Sequence, residues 1–332
     1  MTTAITIGMI IIYVAIMMGI GVYTARQTRS VSDFVLGSHS VGSWLTAFAY
    51  GTSYFSAVVF IGYAGQFGWT YGVSAAWVGV GNALLGSLLA WIVLGRRTRI
   101  MTQSLGAKTM PEYFEKRWNS KGLKIAAALI VFVFLIPYTA SVYNGLSRLF
   151  NMAFQIESEG AYKIIIIVMA LLTAIYVILG GYAATAINDF IQGIVMLIGI
   201  AAVVICAIQN QGGLTSALAA LGEIEVNGKT NTLNSVFGPD PLNLLGVVIL
   251  TSLGTWGLPQ MIHKFYAIKS ENDIKKGAVI STVFALIVAG GSYLLGGFDR
   301  LFCTLTEDGS GKTVISTLSN GKPDFDAMIP SL

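Results

Sequence analysis

Charged side chains are scarce in this 332-residue chain, in which Asp, Glu, Lys and Arg together make up only 11%. Soluble domains carry roughly 25% charged residues, which keep their surfaces hydrated. Hydrophobic residues make up 55% of the chain, and its mean hydropathy is +0.72. So little charge cannot cover a water-facing surface, so a soluble globular protein is excluded and an integral membrane protein is indicated.

Cysteine is almost absent, since only Cys206 and Cys303 occur. Two isolated thiols give neither a disulfide framework nor a metal-ligand spacing. The sequence also lacks a Gly-x-x-x-x-Gly-Lys-Ser/Thr phosphate loop, a His-Glu-x-x-His motif and a Gly-x-Ser-x-Gly motif. ATP-driven pumps and the common hydrolases therefore lack support, and we expect neither an enzyme nor a nucleic-acid-binding protein.

Apolar runs of about 20 residues, enough for one helical bilayer crossing, recur along the chain. We predict about eight spans, at residues 5–23, 42–65, 73–95, 123–150, 163–180, 187–208, 242–262 and 277–297. No Lys or Arg precedes the first run, so it differs from a secretory signal peptide and is interpreted as an uncleaved helix. The sequence thus predicts an all-α, multi-pass protein of the cell membrane, with the lipid bilayer as a partner.

Positive charge is unevenly distributed over the predicted loops. Alternate loops hold Arg26 and Arg29, then the basic stretch 96–124, then the lysines from Lys264 to Lys276. Because Lys and Arg collect on cytoplasmic loops, this set is expected inside the cell. The N-terminus and the longer polar loops, 209–241 and 298–332, are then expected outside.

Two spans are predicted to be interrupted. The second places hydroxyl residues between Gly51 and Gly62, and the seventh has two glycines and Pro259 within residues 251–260. A helix broken at membrane depth is tolerated where it lines a cavity, and its freed carbonyl groups can bind a cation. Close packing of small residues is the alternative for either segment alone. The pair, five spans apart, favours a transport site built from two related halves.

Asp189 lies at the start of the sixth predicted span. A carboxylate inside a membrane is costly, so it often marks an ion path or has a partner. The alternative is a solvated acid at the cytoplasmic N-terminal end of a helix, where the helix dipole favours it. The sequence leaves both interpretations open.

Four segments resemble the sodium:solute symporters, the family of the sodium/proline, sodium/sialic acid and sodium/glucose cotransporters. They are Ser32-Asp33-Phe34-Val35-Leu36-Gly37, Ser53-Tyr54-Phe55-Ser56-Ala57 with Phe60-Ile61-Gly62, Gly180-Gly181 with Asn188-Asp189-Phe190-Ile191-Gln192, and Gly257-Leu258-Pro259-Gln260. The third is the most specific, since it is close to the family's glycine pair and Thr-Asp-x-x-Gln signature. The fourth is near the family's Gly-Gln-Pro, with Leu258 in place of the usual Gln.

The resemblance implies a LeuT-type inverted-repeat helix bundle with one extra helix in front, at residues 5–23. Residues 42–208 would form the first repeat, and 242–332 would begin a second, incomplete repeat within one transporter domain spanning 1–332. The chain is expected to stop before the ninth span, which in the family completes a sodium site. These 332 residues alone are therefore not expected to show coupled transport.

The resemblance also implies Na+ as the coupling ion and assigns residues to it. The backbone carbonyls of Thr52 and Phe55 match one half of a sodium site, with Ser56 beside them. Asp189 matches an acid linked to a second sodium ion or to the cytoplasmic ion exit. The positions implied around the solute are Ser53, Tyr54, Val59, Asn82, Tyr138, Thr251 and Trp256.

The implied function is sodium-coupled symport of a small organic solute by alternating access. Tyr54 stands where the proline transporters have an acid, and Val58 and Val59 stand where the sugar transporters have polar contacts. The solute is left open among amino acids, monocarboxylates, sialic acid and similar compounds. A membrane sensor domain, a uniporter and a proton-coupled carrier of the same fold are the alternatives, and nothing indicates the oligomeric state.

Overall fold

The computed structural model describes residues 2–26, 28, 30–37, 41–56, 58–154, 159–226, 228–306, 311–318 and 321–331. Helices dominate this part of the chain. They are α1 (Thr2–Ala25), α2 (Val31–Leu36), α3 (Ser43–Tyr54), α4 (Ala64–Tyr71), α5 (Ala76–Gly81), α6 (Arg96–Leu105), α7 (Met110–Trp118), α8 (Lys121–Phe154), α9 (Glu159–Asn210), α10 (Leu214–Glu223), α11 (Pro241–Leu253), α12 (Pro259–Ala267), α13 (Glu271–Gly296) and α14 (Asp299–Phe302). The strands β1 (Cys303–Thr304) and β2 (Thr313–Val314) form one short parallel pair.

Tighter and wider helical turns join several of these helices. The π-helical segments are Val58–Tyr63, Asn82–Leu88 and Trp91–Gly95. The 3-10 segments are Gly72–Ala75, Gly254–Gly257, Phe325–Ala327 and Ile329–Ser331. Departures from regular α-helix are therefore concentrated in the two interrupted spans, the third predicted span and the last outer loop.

Four helical stretches of the described chain are long and apolar enough to cross a membrane, and a bent pair of helices makes a fifth. They are Val58–Leu105, Lys121–Ser147, Tyr162–Asn210, Glu271–Gly296 and the pair Pro241–Gly257 with Pro259–Ala267. Each of the eight predicted apolar runs consists mainly of helical residues in the described chain. These stretches support a multi-pass membrane protein, while the number of eight spans stays a prediction.

Two of the stretches, with 48 and 49 residues, are too long for one crossing. A straight helix of that length would measure roughly 70 Å, against a hydrocarbon core of about 30 Å. Each contains a glycine with a non-helical backbone: Gly72 has φ 62° and ψ −145°, and Gly181 has φ 58° and ψ −150°. Side-chain-bearing residues avoid this region, whereas glycine enters it readily. Both kinks fall where the sequence predicts one span to end and the next to begin.

Both interrupted spans are broken at the predicted places. Helix α3 ends at Tyr54, Phe55 and Ser56 are non-helical, and a π-helical segment begins at Val58. Helix α11 passes into the 3-10 turn Gly254–Gly257, and α12 starts at Pro259, with Leu258 extended between them. Proline at the first position of α12 suits this restart, because the first N–H groups of a helix have no partner within it.

The chain divides into two compact units. The first comprises Met1–Tyr54, Ala90–Gly193 and Gly257–Ser281, and the second comprises Phe55–Leu89, Ile194–Trp256 and Thr282–Leu332. The chain passes from one unit to the other at both broken spans, after Tyr54 and before Gly257.

An aromatic cluster lies at the core of the first unit. The ring of Trp91 lies 5.5 Å from that of Tyr50 and 5.0 Å from that of Phe265, and all three side chains are buried. Gly277 on α13 faces the indole, where a Cβ atom would come within 2.6 Å of the ring. The cluster thus fixes α3, α12 and the beginning of α13 around Trp91.

Glycine contacts hold the helices of the second unit close together. A Cβ atom on Gly68 would lie 2.0 Å from the backbone of Gly296, and one on Gly79 would lie 2.5 Å from that of Gly290. Such backbone approach is typical of packed membrane helices. A smaller apolar cluster of Cys303, Ile315 and Met328 lies beside β1 and β2.

Helix α8 presents apolar side chains on most of its surface. Its exposed residues include Leu123, Ile125, Leu129, Ile130, Phe132, Val133, Phe134 and Ile136. Soluble proteins rarely expose a contiguous apolar surface of this extent. An apolar surface of this kind is typical of a membrane-spanning helix.

Candidate ion and solute sites

Asp189 lies within α9 and is paired with a lysine. Its Oδ2 lies 3.4 Å from Nζ of Lys264 on α12, and the two side chains are 22% and 9% exposed. Charge-assisted N–H···O bonds are usually about 2.7–2.9 Å long, so this ion pair is a loose one. The structure therefore favours the interpretation of Asp189 as a partnered carboxylate over that of a solvated acid.

Aromatic groups surround the lysine end of this pair. Lys264 Nζ lies 5.2 Å from the centre of the Tyr182 ring, within reach of a cation–π contact. His263 meets the same ring edge-on at 5.4 Å, and its Nε2 lies 2.7 Å from the carbonyl oxygen of Val35. These contacts position α12 against α2 and the start of the second half of α9.

Two cations that the sequence assigns to cytoplasmic loops are buried in helices, which corrects that prediction. Lys264 lies within α12 and Arg99 within α6, and each residue is 7% exposed. Arg99 Nη2 donates a hydrogen bond to the carbonyl oxygen of Lys269. The burial of Lys264 could have been recognised from its neighbours in the sequence. Met261, Ile262, Phe265 and Tyr266 flank it, and all four are buried in the structure.

The first break supplies backbone carbonyl groups at the end of a helix. The last four C=O groups of an α-helix have no partner within it, and Thr52 lies in this final turn of α3. Phe55 follows the helix directly and is buried. The carbonyl oxygen of Ser56 accepts from the N–H of Val59 at 2.9 Å, which begins the π-helical segment.

The side chains near this break are in different environments. Thr52 Oγ1 donates to the carbonyl oxygen of Phe48 at 2.9 Å, so that hydroxyl is used inside α3. The Tyr54 ring is buried and lies edge-on to Tyr50 at 6.4 Å. Ser53 and Val59 are half-buried.

A polar cluster in the second unit joins the third and seventh predicted spans. Asn82 Oδ1 accepts from Oγ of Ser252 at 3.1 Å and lies 3.0 Å from Oγ1 of Thr251. Thr251 Oγ1 also lies 2.9 Å from the carbonyl oxygen of Val247 and 3.4 Å from that of Val248, so its single proton has three alternative acceptors. Asn82 and Ser252 are buried, whereas Thr251 is half-buried. The cluster holds α11 against the Asn82–Leu88 segment.

Trp256 is fixed to the same segment, because its Nε1 donates to the carbonyl oxygen of Leu85 at 3.0 Å. The structure thus brings together three residues that the resemblance implies for the solute: Asn82, Thr251 and Trp256. Ser252 belongs to the cluster and was missed by the sequence, although its position beside Thr251 was the signal.

Tyr138 lines a cavity of the first unit. This cavity, of about 480 Å³, is bounded by α8, by α7 and by Gly257, Leu258 and Pro259. Its other lining side chains are mainly apolar, among them Phe114, Ile130 and Phe134. The phenol of Tyr138 therefore adds a polar group to an otherwise apolar wall.

Comparison with known proteins agrees with this architecture. The sequence profile of the sodium:solute symporter family matches residues 34–322. The sodium/proline symporters of Staphylococcus aureus strains JH9 and JH1 are each 34% identical to the chain over 274 residues. The matched region is 81% of this chain and 51% of each relative, so the chain spans about half the length of the curated relatives it matches.

A solved structure shares the fold. The substrate-bound, outward-open structure of a Na+-coupled sialic acid symporter superposes with a TM-score of 0.66 at 16% sequence identity. The superposition covers 99% of this chain and 68% of the other. With its profile match over most of its length, the chain belongs to the sodium:solute symporter family, a family of membrane transporters and not of enzymes.

Proposed function

We propose that this chain forms the ion- and solute-binding part of a sodium-coupled symporter that works by alternating access. The observation that carries the proposal is the pair of broken spans, at Phe55–Ser56 and at Gly254–Leu258. Irregular backbone at membrane depth persists where it lines a cavity, and such breaks supply carbonyl groups for a cation and helix ends for a solute.

The first sodium ion is proposed to bind at the break after α3. The backbone carbonyl groups of Thr52 and Phe55 are its ligands, and the Ser56 hydroxyl is the side-chain oxygen beside them. Hard cations prefer such oxygen ligands. The C-terminal end of α3 also carries the negative end of the helix dipole, which favours a cation.

Asp189 is proposed to interact with sodium at a second position or along the exit to the cytoplasm. In the structure its carboxylate faces the Lys264 ammonium at 3.4 Å. A sodium ion at Asp189 would compete with this ammonium, since both are cations seeking the same oxygen atoms. Lys264 would then act as a tethered cation that keeps the carboxylate paired when sodium has left.

The solute is proposed to contact the cluster of Asn82, Thr251 and Trp256, together with Ser53, Tyr54, Val59 and Tyr138. The cluster combines amide, hydroxyl and indole groups, which suits a small polar organic solute. An amino acid, a monocarboxylate, sialic acid or a similar compound is proposed. The sodium/proline symporters among the relatives favour testing amino acids first.

The proposed architecture is a LeuT-type inverted repeat with about eight spans and the N-terminus outside the cell. Residues 42–208 form the first repeat and 242–332 begin the second, with the extra helix at 5–23 in front. Helix α1 packs on α9, where a Cβ atom on Gly21 would touch Tyr176 at 3.3 Å. Sodium entry down a 100 mV potential would supply about 2.3 kcal/mol per charge to drive the cycle.

The test is uptake by the purified full-length protein in proteoliposomes with an imposed sodium gradient. Labelled amino acids, monocarboxylates, sialic acid and sugars are compared under an inward sodium gradient, a proton gradient and no gradient. We expect one solute class to accumulate only with inward sodium, and Asp189→Ala to weaken that accumulation. Uptake driven by protons alone, or solute binding without any gradient-driven accumulation, would refute sodium symport.

A further inference from the structure

Asp299 is a buried carboxyl group that the proposed transport site does not use. It lies in the second unit, just beyond the end of α13, and its exposure is 0%. Neither of its carboxyl oxygens has a hydrogen-bonding partner among the residues that the structure describes. A charge in this position requires a compensating cation, because burying an unpaired carboxylate is very costly.

The nearby cationic side chains are engaged elsewhere. The Arg300 guanidinium stacks on the Trp69 ring at 4.5 Å and donates from Nε to the Trp69 carbonyl oxygen at 2.9 Å. Lys312 Nζ donates to the carbonyl oxygen of Arg300 at 2.9 Å. Burial and the charge of Asp299 together raise the pKa of the Cys303 thiol to about 12, so this thiol stays neutral.

Other oxygen atoms lie against the same helical region as Asp299. A Cβ atom added to Gly65 would lie 2.7 Å from the carbonyl oxygen of Phe325 and 3.6 Å from Oδ2 of Asp299. A Cβ atom added to Gly62 would lie 2.8 Å from Oδ1 of Asp326. Residues three apart on a helical segment share one face. A carbonyl and two carboxylates therefore lie near the glycine face of the Val58–Tyr71 region, where a side chain at Gly65 would displace the Phe325 carbonyl group and one at Gly62 would displace the Asp326 carboxylate.

We propose that Asp299 and the carbonyl group of Phe325, with Asp326 at the rim, form a binding site for an oxygen-ligated metal cation. Carboxylate and carbonyl oxygens are the ligands that Na+ and Ca2+ share. The described residues contain no cluster of three or more His, Cys, Asp or Glu side chains, so water or further carbonyl groups complete the coordination. The alternative, a neutral carboxylic acid, would have no acceptor for its O–H within hydrogen-bonding distance among the described residues.

The bound cation would pin the segment Phe325–Ala327 to the helical region that follows the first break. This segment is a 3-10 turn in the second unit, and its apolar neighbour Met328 is fully buried. The site shares no residue with the proposed sodium sites at Asp189 and at the break after α3. Its ligand would therefore be a structural cation that is distinct from the transported ion.

The experiment is equilibrium binding of 22Na+ and, separately, of 45Ca2+ to the purified full-length protein, with choline balancing ionic strength. Asp299→Asn keeps the shape of the side chain and removes its charge. We expect it to abolish one stoichiometric site for one of the two cations, and the cation that is lost identifies the ligand. Asp189→Asn should leave that site intact, so failure of the transport proposal would not be mistaken for failure of this one.

Asp326→Asn is a second variant for the case in which Asp299→Asn folds poorly. It should weaken binding of the same cation at least about tenfold, equivalent to 1.4 kcal/mol. Glu271→Gln, at an exposed ion pair, is the matched control and should change nothing. Unchanged stoichiometry and affinity for both cations in Asp299→Asn, or in Asp326→Asn where the first cannot be purified, would overturn the proposal. That result would identify Asp299 as a neutral acid.

Discussion

Lys264 Nζ lies 3.4 Å from Asp189 Oδ2, and both side chains are largely withdrawn from solvent. The two residues are 75 positions apart in sequence, on α12 and α9. A charge inside a membrane span is costly unless a partner compensates it. The pair therefore gives the carboxylate within α9 a defined partner, and it is the first interaction to test.

Removing the charge of Asp189 is expected to weaken sodium dependence more than solute recognition. Hydrogen bonds to charged groups contribute about 1.5–3 kcal/mol, so Asp189→Asn should raise the sodium concentration for half-maximal uptake roughly ten- to hundredfold. Uptake by the full-length protein measured against external sodium checks this. Glu271→Gln, which removes an exposed carboxylate, is the control. An unchanged sodium dependence in Asp189→Asn would rule out its role at an ion site.

The ion pair is also expected to show as a coupling in stability. Lys264→Met leaves Asp189 without its partner and should lower the free energy of unfolding by about 3 kcal/mol. This value is the lower end of the range for breaking a buried ion pair, because the Asp189 side chain is still 22% exposed. The double variant Lys264→Met with Asp189→Asn should recover much of this loss, since neither charge is then unpaired.

The matched control for that cycle is Arg96 with Glu271, an ion pair whose side chains are 70% and 50% exposed. Breaking it with Arg96→Gln should cost at most about 1 kcal/mol. Thermal unfolding in detergent measures both cycles. If the loss of stability in the double variant equals the sum of the losses in Lys264→Met and Asp189→Asn, the two side chains do not interact.

Asn82 is expected to support the solute site through its two hydroxyl neighbours. Asn82→Leu removes the acceptor used by Ser252 and Thr251, and the buried Ser252 hydroxyl loses its contact at 3.1 Å. The cost should be about 1–3 kcal/mol in stability, with weaker solute binding. Adding Ser252→Ala should restore part of the stability but not the solute affinity. Thr70→Val, at an exposed threonine, is the control for loss of a hydroxyl group. Unchanged solute affinity in Asn82→Leu would contradict the assignment of Asn82 to the solute site.

Gly181 is expected to tolerate no side chain. Its φ of 58° with ψ of −150° is strained for any other residue, and a Cβ atom would lie 2.7 Å from the carbonyl oxygen of Phe34. Gly181→Ala should destabilise the protein by at least about 1–3 kcal/mol. Gly199→Ala in the same α9 is the control, because it has open space around it and should gain up to about 1 kcal/mol. Equal thermal stability of the two variants would contradict this account.

The orientation predicted from charge is expected to hold in cells. In a background with Cys206→Ser and Cys303→Ser, Lys229→Cys should react with a membrane-impermeant maleimide added outside. Lys121→Cys should react only after the membrane is permeabilised. Both positions are exposed in the structure. The reverse labelling pattern would place the N-terminus inside the cell.

The sequence by itself determined the class of the protein and the position of its interruptions. Because the chain has little charge and long apolar runs, its surface is suited to the lipid interior of a membrane and not to water. The breaks near Phe55 and Leu258 could be predicted because glycine, proline and hydroxyl residues change local backbone preferences. Local chemistry of this kind needs no knowledge of distant contacts.

The tertiary structure alone decided which polar groups meet. Lys264 was expected in a loop, yet packing of α12 buries it against Tyr182 and Asp189. Ser252 joins Asn82 across 170 residues of sequence, and no spacing rule connects the two. Asp299 looks in the sequence like an ordinary loop acid, yet the fold buries it completely and brings its carboxylate near Gly65. These pairings depend on how helices pack, because contacts between distant residues are set by the three-dimensional path of the chain.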